Sequence, residues 1–232
     1  MIKEISDFHT HTFLSDGVLS PIELIRSACV NGYKQIALTD HVSISTMERV
    51  IKEIKADCRL AEKYWGIKTI VGVELTHVPA GSVAPLAKQA RAYGAELVVV
   101  HGETIVEPVE PGTNRAAVNC LEVDILAHPG LITLEETEMA ARNGVFLELT
   151  SRRGHSLTNG HVVSLARKAG AELLINSDTH EPGDLHTPKF IKQVGLGAGL
   201  TIEELSQVVS ALPLKLLHRV LERQTDTRIE TK

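Results

Sequence analysis

Two histidines one residue apart, His9 and His11, follow the lead Ile5-Ser6-Asp7-Phe8 near the start of the chain. In an extended strand residues i and i+2 point to the same side, so both rings can offer nitrogens to one metal ion. Two unrelated polar residues at a strand end would look the same, so the pair alone decides little. The rest of the chain repeats the design, one apolar run after another ending in a residue of ligand type. Asp16 sits in Ser15-Asp16-Gly17, His41 follows Gln35-Ile36-Ala37-Leu38-Thr39-Asp40, Glu74 ends the run from Thr69, and His101 ends the run from Glu96. His128 follows Asp124-Ile125-Leu126-Ala127, and Asp178 and His180 close the run from Glu172 to Asn176. These six imidazoles and three carboxylates exceed what one catalytic zinc needs, so two or three divalent ions are expected.

Three such ions would bring more positive charge than three carboxylates offset. The surplus suits a phosphate dianion together with a metal-bound hydroxide. Ions that bridge phosphate oxygens polarise phosphorus, bring the pKa of a bound water to about 7 and stabilise the leaving oxygen. Hydrolysis of a phosphate ester is the chemistry this set suits. Arg152 and Arg153 follow the sixth apolar run, and a guanidinium fork fits two phosphate oxygens, so one of them is expected to clamp phosphate. His77, Glu103 and His155 also follow strand ends and are candidates for substrate contact, each with a plain alternative as a solvated loop residue. Asp40 can orient the His41 ring or cap the helix that follows. His218 reads as a surface residue.

Seven apolar runs alternate with helical stretches at a spacing of about 30 residues, the size of a βα unit, which argues for a parallel sheet. The first strand is expected near 2–9. Ser20-Pro21-Ile22-Glu23 has the N-cap, first-turn proline and capping glutamate of a helix running to about Gly32. Further helices are expected to end at Gly66, Gly94, Gly144 and Gly170. Residues 107–112, Glu-Pro-Val-Glu-Pro-Gly, read as a rigid excursion, two helices are expected near 201–211 and 213–223, and 224–232 as a frayed tail. An open doubly wound sheet is possible, but no Gly-x-Gly-x-x-Gly follows the first strand. Ligand-type residues end nearly every run instead, and a closed barrel aims all its strand ends at one mouth. One βα barrel of seven strands, filling residues 1–232 as a single domain, is the expectation.

The formal net charge of −5 and the absence of a Lys/Arg run argue against a long nucleic-acid partner, while a small anionic substrate remains allowed. No apolar run approaches the ~20 residues of a membrane span, and the start lacks the build of a signal peptide, so a cytoplasmic protein is expected. Cys29, Cys58 and Cys120 lie far apart without metal-type spacing and read as reduced structural thiols.

Asp7-Phe8-His9-Thr10-His11, Ser15-Asp16-Gly17, Leu38-Thr39-Asp40-His41, Gly72-Val73-Glu74, Val100-His101-Gly102, Ala127-His128-Pro129 and Ser177-Asp178-Thr179-His180 resemble, in order, the motifs of the polymerase and histidinol phosphatase (PHP) domain. The resemblance implies a distorted (β/α)7 TIM-like barrel with a trinuclear site. It would place His9, His11, Glu74 and Asp178 on one ion, Glu74, His101 and His128 on a second, and Asp16, His41 and His180 on a third. Glu74 would bridge two ions, and Asp178, His180 and Glu74 stand as the catalytic members of the set. Zinc, manganese and iron are the metals associated with the family. The implied activity is a metal-dependent phosphomonoesterase on a small metabolite, with histidinol phosphate the leading example; its cationic groups would favour Glu103 or Glu148. The alternatives are a phosphoesterase or exonuclease on nucleotides or nucleic-acid ends, and a non-catalytic metal-binding module. A metal-dependent amidohydrolase also begins with His-x-His, but no strand-ending Lys suited to bridge two metals is found.

Overall fold

The fold is that of a computed structural model, which describes residue 2 and residues 4–230, with side chains to Arg223. Reciprocal capping fixes where several helices begin. Ser20 and Glu23 close on each other at the start of α1 (Pro21–Val30), as do Thr133 and Glu136 before α5 (Leu134–Asn143). The long helix α2 (Met47–Trp65) stops at Gly66, and α3 (Val83–Tyr93) and α6 (Asn159–Ala169) stop at Gly94 and Gly170. A short α4 (Thr113–Val118) and α7 (Pro188–Gly197) were outside the periodic signal; α7 begins where the Thr187 hydroxyl accepts from Phe190 N and Pro188 opens the helix. The chain ends in α8 (Ile202–Val209) and α9 (Ala211–Glu230), so helical backbone continues past the expected end near 223; Thr231 and Lys232 lie outside the described residues.

The strands are β1 (Ile5–Asp7), β2 (Tyr33–Leu38), β3 (His41–Val42), β4 (Lys68–Leu75), β5 (Leu97–His101), β6 (Ile125–Ala127), β7 (Phe146–Thr150) and β8 (Leu173–Asn176). Every pairing is parallel, in the order β1-β2-β4-β5-β6-β7-β8. β3 pairs with β4 just beyond β2, so the two share one barrel position and the barrel has seven. The ring nearly closes between its first and last strands, through His11 N to Thr179 O at 2.8 Å and Asp178 N to His9 O at 3.0 Å. It is therefore a distorted (β/α)7 barrel, and the closing seam is made by the ligand-bearing segments themselves.

Strand alternation sorts the side chains. Phe8, Ala37, Ile70, Leu97, Val99, Ile125, Phe146 and Leu174 fill the interior, while Ile36, Val71, Val98, Val100, Leu147 and Ile175 face the helices. Leu216 and Val220 of α9 join the interior cluster and close the end of the barrel opposite the strand tips. The floor is fastened by Asp124, whose carboxylate takes Arg91 at 2.5 Å, Arg223 at 2.6 Å and Arg219 at 3.2 Å. The three cysteines are free, with Cys58 and Cys120 buried. No helix among the described residues is long and apolar enough to cross a membrane.

Candidate metal centre

The interior rows continue upward into the site. Leu97 and Val99 lead to His101 at i+2, Ile70 leads to Glu74 at i+4, and Leu174 and Asn176 lead to Asp178, so the period of 2 that packs the barrel also aims these ligand-type residues into its mouth. His9, His11, Glu74, His101, His128, Asp178 and His180 are buried there, His41 is half-buried, and Asp16 stands at the edge.

The donors gather in groups. His9 Nε2 lies 3.3 Å from Glu74 Oε1, which is 3.7 Å from His128 Nε2. His11 Nε2 lies 3.2 Å from Asp178 Oδ1, which is 3.9 Å from His9 Nε2. Asp16 Oδ1 lies 3.1 Å from His180 Nε2 and 3.5 Å from His41 Nε2, and His11 joins that group. Donors about 2.0–2.1 Å from a tetrahedral ion stand roughly 3.3–3.4 Å apart, so these separations fit divalent ions. His9 Nε2, both nitrogens of His11, Glu74 Oε1 and one nitrogen each of His101 and His128 are buried without a hydrogen-bond partner. Buried polar atoms are rarely left so. The residues present therefore fit the metal ions implied by the motifs.

Burial, reinforced by neighbouring imidazoles, holds His11 and His128 well below the ordinary histidine range, so both stay neutral with a lone pair to give. Burial also opposes the charged form of His9, yet Glu148, Glu74 and Asp178 carry it well above that range. Glu74 is held far down despite its burial by His9 and His41, whereas burial raises Asp178 to about 6. Carboxylates and imidazoles are thus interleaved at the mouth, with Glu74 central: its Oε2 also takes His41 Nδ1 at 2.6 Å.

The grouping of His101 departs from the implied pattern. Its Nε2 faces Glu107 Oε2 at 3.0 Å and groups with His77 and Glu107. Two loop glycines set the approach of neighbouring turns. A Cβ on Gly17 would lie 2.4 Å from His11 O, and one on Gly130, at φ +61, would lie 1.9 Å from Glu103 O. Asp40 neither touches the His41 ring nor caps α2, whose N-cap is Thr46; it accepts from Thr12 N at 2.8 Å and Ser15 Oγ at 2.7 Å, folding the turn that carries Asp16.

Arg152 stands at the mouth, its Nε 3.7 Å from Asp178 Oδ2, whereas Arg153 points to solvent. The Glu103 carboxylate accepts from Gly112 N at 2.9 Å and Asn114 N at 2.8 Å and so anchors the loop after β5. His155 is buried, with Nδ1 2.8 Å from Thr104 Oγ1, and His218 is exposed beside Glu222. Glu148 is not free to meet a substrate cation. It is wholly enclosed on the inward row above Phe146, taking His9 Nδ1 at 2.8 Å, Asn176 Nδ2 at 2.9 Å and His128 N at 3.1 Å. A carboxylate in phase with the inward residues of an apolar strand was the signal for this role. Glu107, in a loop without periodicity, offered no such signal.

A parallel barrel with interleaved imidazoles and carboxylates at its C-terminal mouth, in a chain that matches the PHP domain model, defines the class: a metal-dependent phosphoesterase of the hydrolase type. The chain belongs to the PHP domain family, whose model matches residues 7–181. It is 51% identical over 92% of its length to an uncharacterized protein of Methanocaldococcus jannaschii, covering 99% of that protein. It is 26% identical to a probable phosphatase of Thermoanaerobacter sp. strain X514, over 87% of this chain and 91% of that one. Its fold is similar to that of histidinol phosphate phosphatase from Lactococcus lactis, solved with zinc, L-histidinol and phosphate. That likeness has a TM-score of 0.56 at 14% identity, covering 85% of this chain and 95% of the other.

Proposed function

We propose that the chain hydrolyses a small phosphate monoester at the barrel mouth. His9, His11, Asp16, His41, Glu74, His101, His128, Asp178 and His180 would hold two or three divalent ions, zinc, manganese or iron. The observation that carries this reading is the donor spacing of 3.1–3.9 Å in three groups around Glu74, Asp178 and Asp16, with an arginine beside Asp178. When bound, such ions supply Lewis-acid polarisation of the phosphoryl group and activation of a water.

The chain's own residues do the rest. Glu74 offers one oxygen toward His9 and His128 and the other toward His41, which suits a bridging ligand. Asp178 and His180, on the segment that closes the barrel seam, keep the ligands that follow β1 and β8 in fixed register. Arg152 draws phosphate oxygens toward that pair and neutralises the charge gathering on them in the transition state. A histidinol-phosphate-like metabolite is the substrate class favoured by the motifs and by the fold shared with the Lactococcus lactis enzyme.

The test is phosphate release by the purified protein, supplied in turn with Mn²⁺, Zn²⁺ and Fe²⁺. The substrates are histidinol phosphate, an aryl phosphate, nucleoside monophosphates and bis-phosphorylated nucleotides. Turnover of a monoester, abolished in Asp178→Asn, is expected. Release from none of them under any metal would overturn the reading and leave a non-catalytic metal-binding module.

A further inference from the structure

Glu107 lies in the loop between β5 and α4, and its carboxylate is met by imidazoles from three other segments. Oε2 lies 3.3 Å from His77 Nε2 and 3.0 Å from His101 Nε2, and Oε1 lies 3.3 Å from His155 Nε2. The rings of His77 and His101 stand 5.0 Å apart between centroids. These spacings match the roughly 3.3–3.4 Å that separates donors around a tetrahedral ion.

Two independent features indicate that this cluster is built. The first is backbone strain. Among the described residues His77, His128 and Asp178 are the non-glycine residues with positive φ, at 51°, 24° and 55°. His128 and Asp178 are ligand-type residues of the mouth. So strained a conformation persists only where surrounding structure enforces it, and such residues cluster at functional sites. His77 shares that signature although it lies outside the family motifs. The second feature is how the loop is fastened. Glu103 takes Gly112 N and Asn114 N, Glu110 takes Ala80 N at 3.0 Å, and Val106 packs over Gly154. The carboxylate is presented by a braced turn, and His155, tied to Thr104, holds its other oxygen.

We propose that His77, His101 and Glu107 bind a divalent cation at the outer edge of the mouth, with His155 positioning the carboxylate. Two imidazoles and one carboxylate form a set that, completed by water, suits zinc or a similar transition ion. This goes beyond the phosphoesterase reading and shares with it only the ligand His101; the rim ion can be present in a protein with no phosphatase activity. It also accounts for the aim of His101 Nε2 toward Glu107, away from the group formed by His9, Glu74 and His128.

The test is zinc stoichiometry. The whole chain is stripped with a chelator, reloaded with Zn²⁺ and freed of excess, and the metal per chain is measured by mass spectrometry. Wild type is compared with His77→Ala, Glu107→Gln and the double variant. The side chains of His77 and Glu107 are 44% and 37% exposed, so the metal-free variants are expected to melt as wild type does. Each single variant should carry one Zn²⁺ fewer, and the double variant should lose no more than either. A zinc-edge anomalous map of the wild type should show density between His77 and Glu107. Unchanged stoichiometry in both single variants, or an anomalous map without density there, overturns the inference. Loss of phosphate release with the His77-dependent ion retained would sink the proposed activity and leave the rim site standing.

Discussion

Oε1 of Glu148 lies 2.8 Å from Nδ1 of His9, fully enclosed beneath the mouth, so the ring that faces Glu74 is held from behind by a carboxylate. Glu148 accepts on both oxygens, from His9, Asn176 and the His128 backbone. In Glu148→Gln the amide NH₂ must face one of those donors. Metal affinity is expected to fall about 10- to 100-fold, the usual cost of losing the group that orients a ligand imidazole. Chelator competition measures it, and affinity equal to wild type would refute the role.

Arg152 and Arg153 are neighbours with different surroundings, since Arg152 reaches Asp178 and Asp184 while Arg153 is exposed. A charge-assisted bond is worth about 1.5–3 kcal/mol, so Arg152→Ala should lower kcat/KM about 10- to 100-fold and weaken inhibition by inorganic phosphate. Arg153→Ala should leave both nearly unchanged. Equal losses in the two variants would mean that the clamp is misassigned.

Gly130 follows His128-Pro129, at φ +61 with Glu103 O crossing above it. In Gly130→Ala the left-handed backbone alone costs about 1–3 kcal/mol, and the methyl must push the β5 loop away. Urea unfolding should show that loss, together with weaker metal retention because His128 moves with its turn. A variant as stable as wild type would show that the loops yield freely.

Asp124 ties the barrel floor to α9. Burial would raise its carboxyl, but Arg91, Arg223 and Arg219 together hold it below the ordinary range. The folded protein therefore binds fewer protons here than the unfolded chain. The contribution is complete above the ordinary aspartate value of about 4 and is lost as pH falls through it toward the folded value. Asp124→Asn should cost about 1.5–3 kcal/mol at neutral pH, because half-buried guanidinium groups lose a charged hydrogen-bond partner, and should flatten the acid limb of stability. Unfolding midpoints measured from pH 3 to 7 in both proteins give the comparison; parallel curves would rule the linkage out.

Order of elements, strand ends and ligand types were legible because each depends on short-range rules. Alternation with period 2 placed Glu74, His101 and Asp178 in phase with interior residues, and capping pairs such as Ser20 with Glu23 announced helix starts. The loops were not legible in this way. Glu107-Pro108-Val109-Glu110-Pro111-Gly112 has neither strand nor helix periodicity, so where the Glu107 carboxylate goes depends on partners up to some 50 positions away, among them His155.

By itself the sequence determined a seven-position parallel barrel and which residue types gather at its mouth, because periodicity and capping act within a few neighbours along the chain. Tertiary structure alone decided which donors share a position. It turned His101 toward Glu107, hid Glu148 behind His9, spent Asp40 on the turn bearing Asp16 and set Arg152 apart from Arg153. The reason is geometric: which nitrogen of a ring faces which oxygen depends on how strands far apart in sequence are staggered around the closed seam, and no local pattern encodes that stagger.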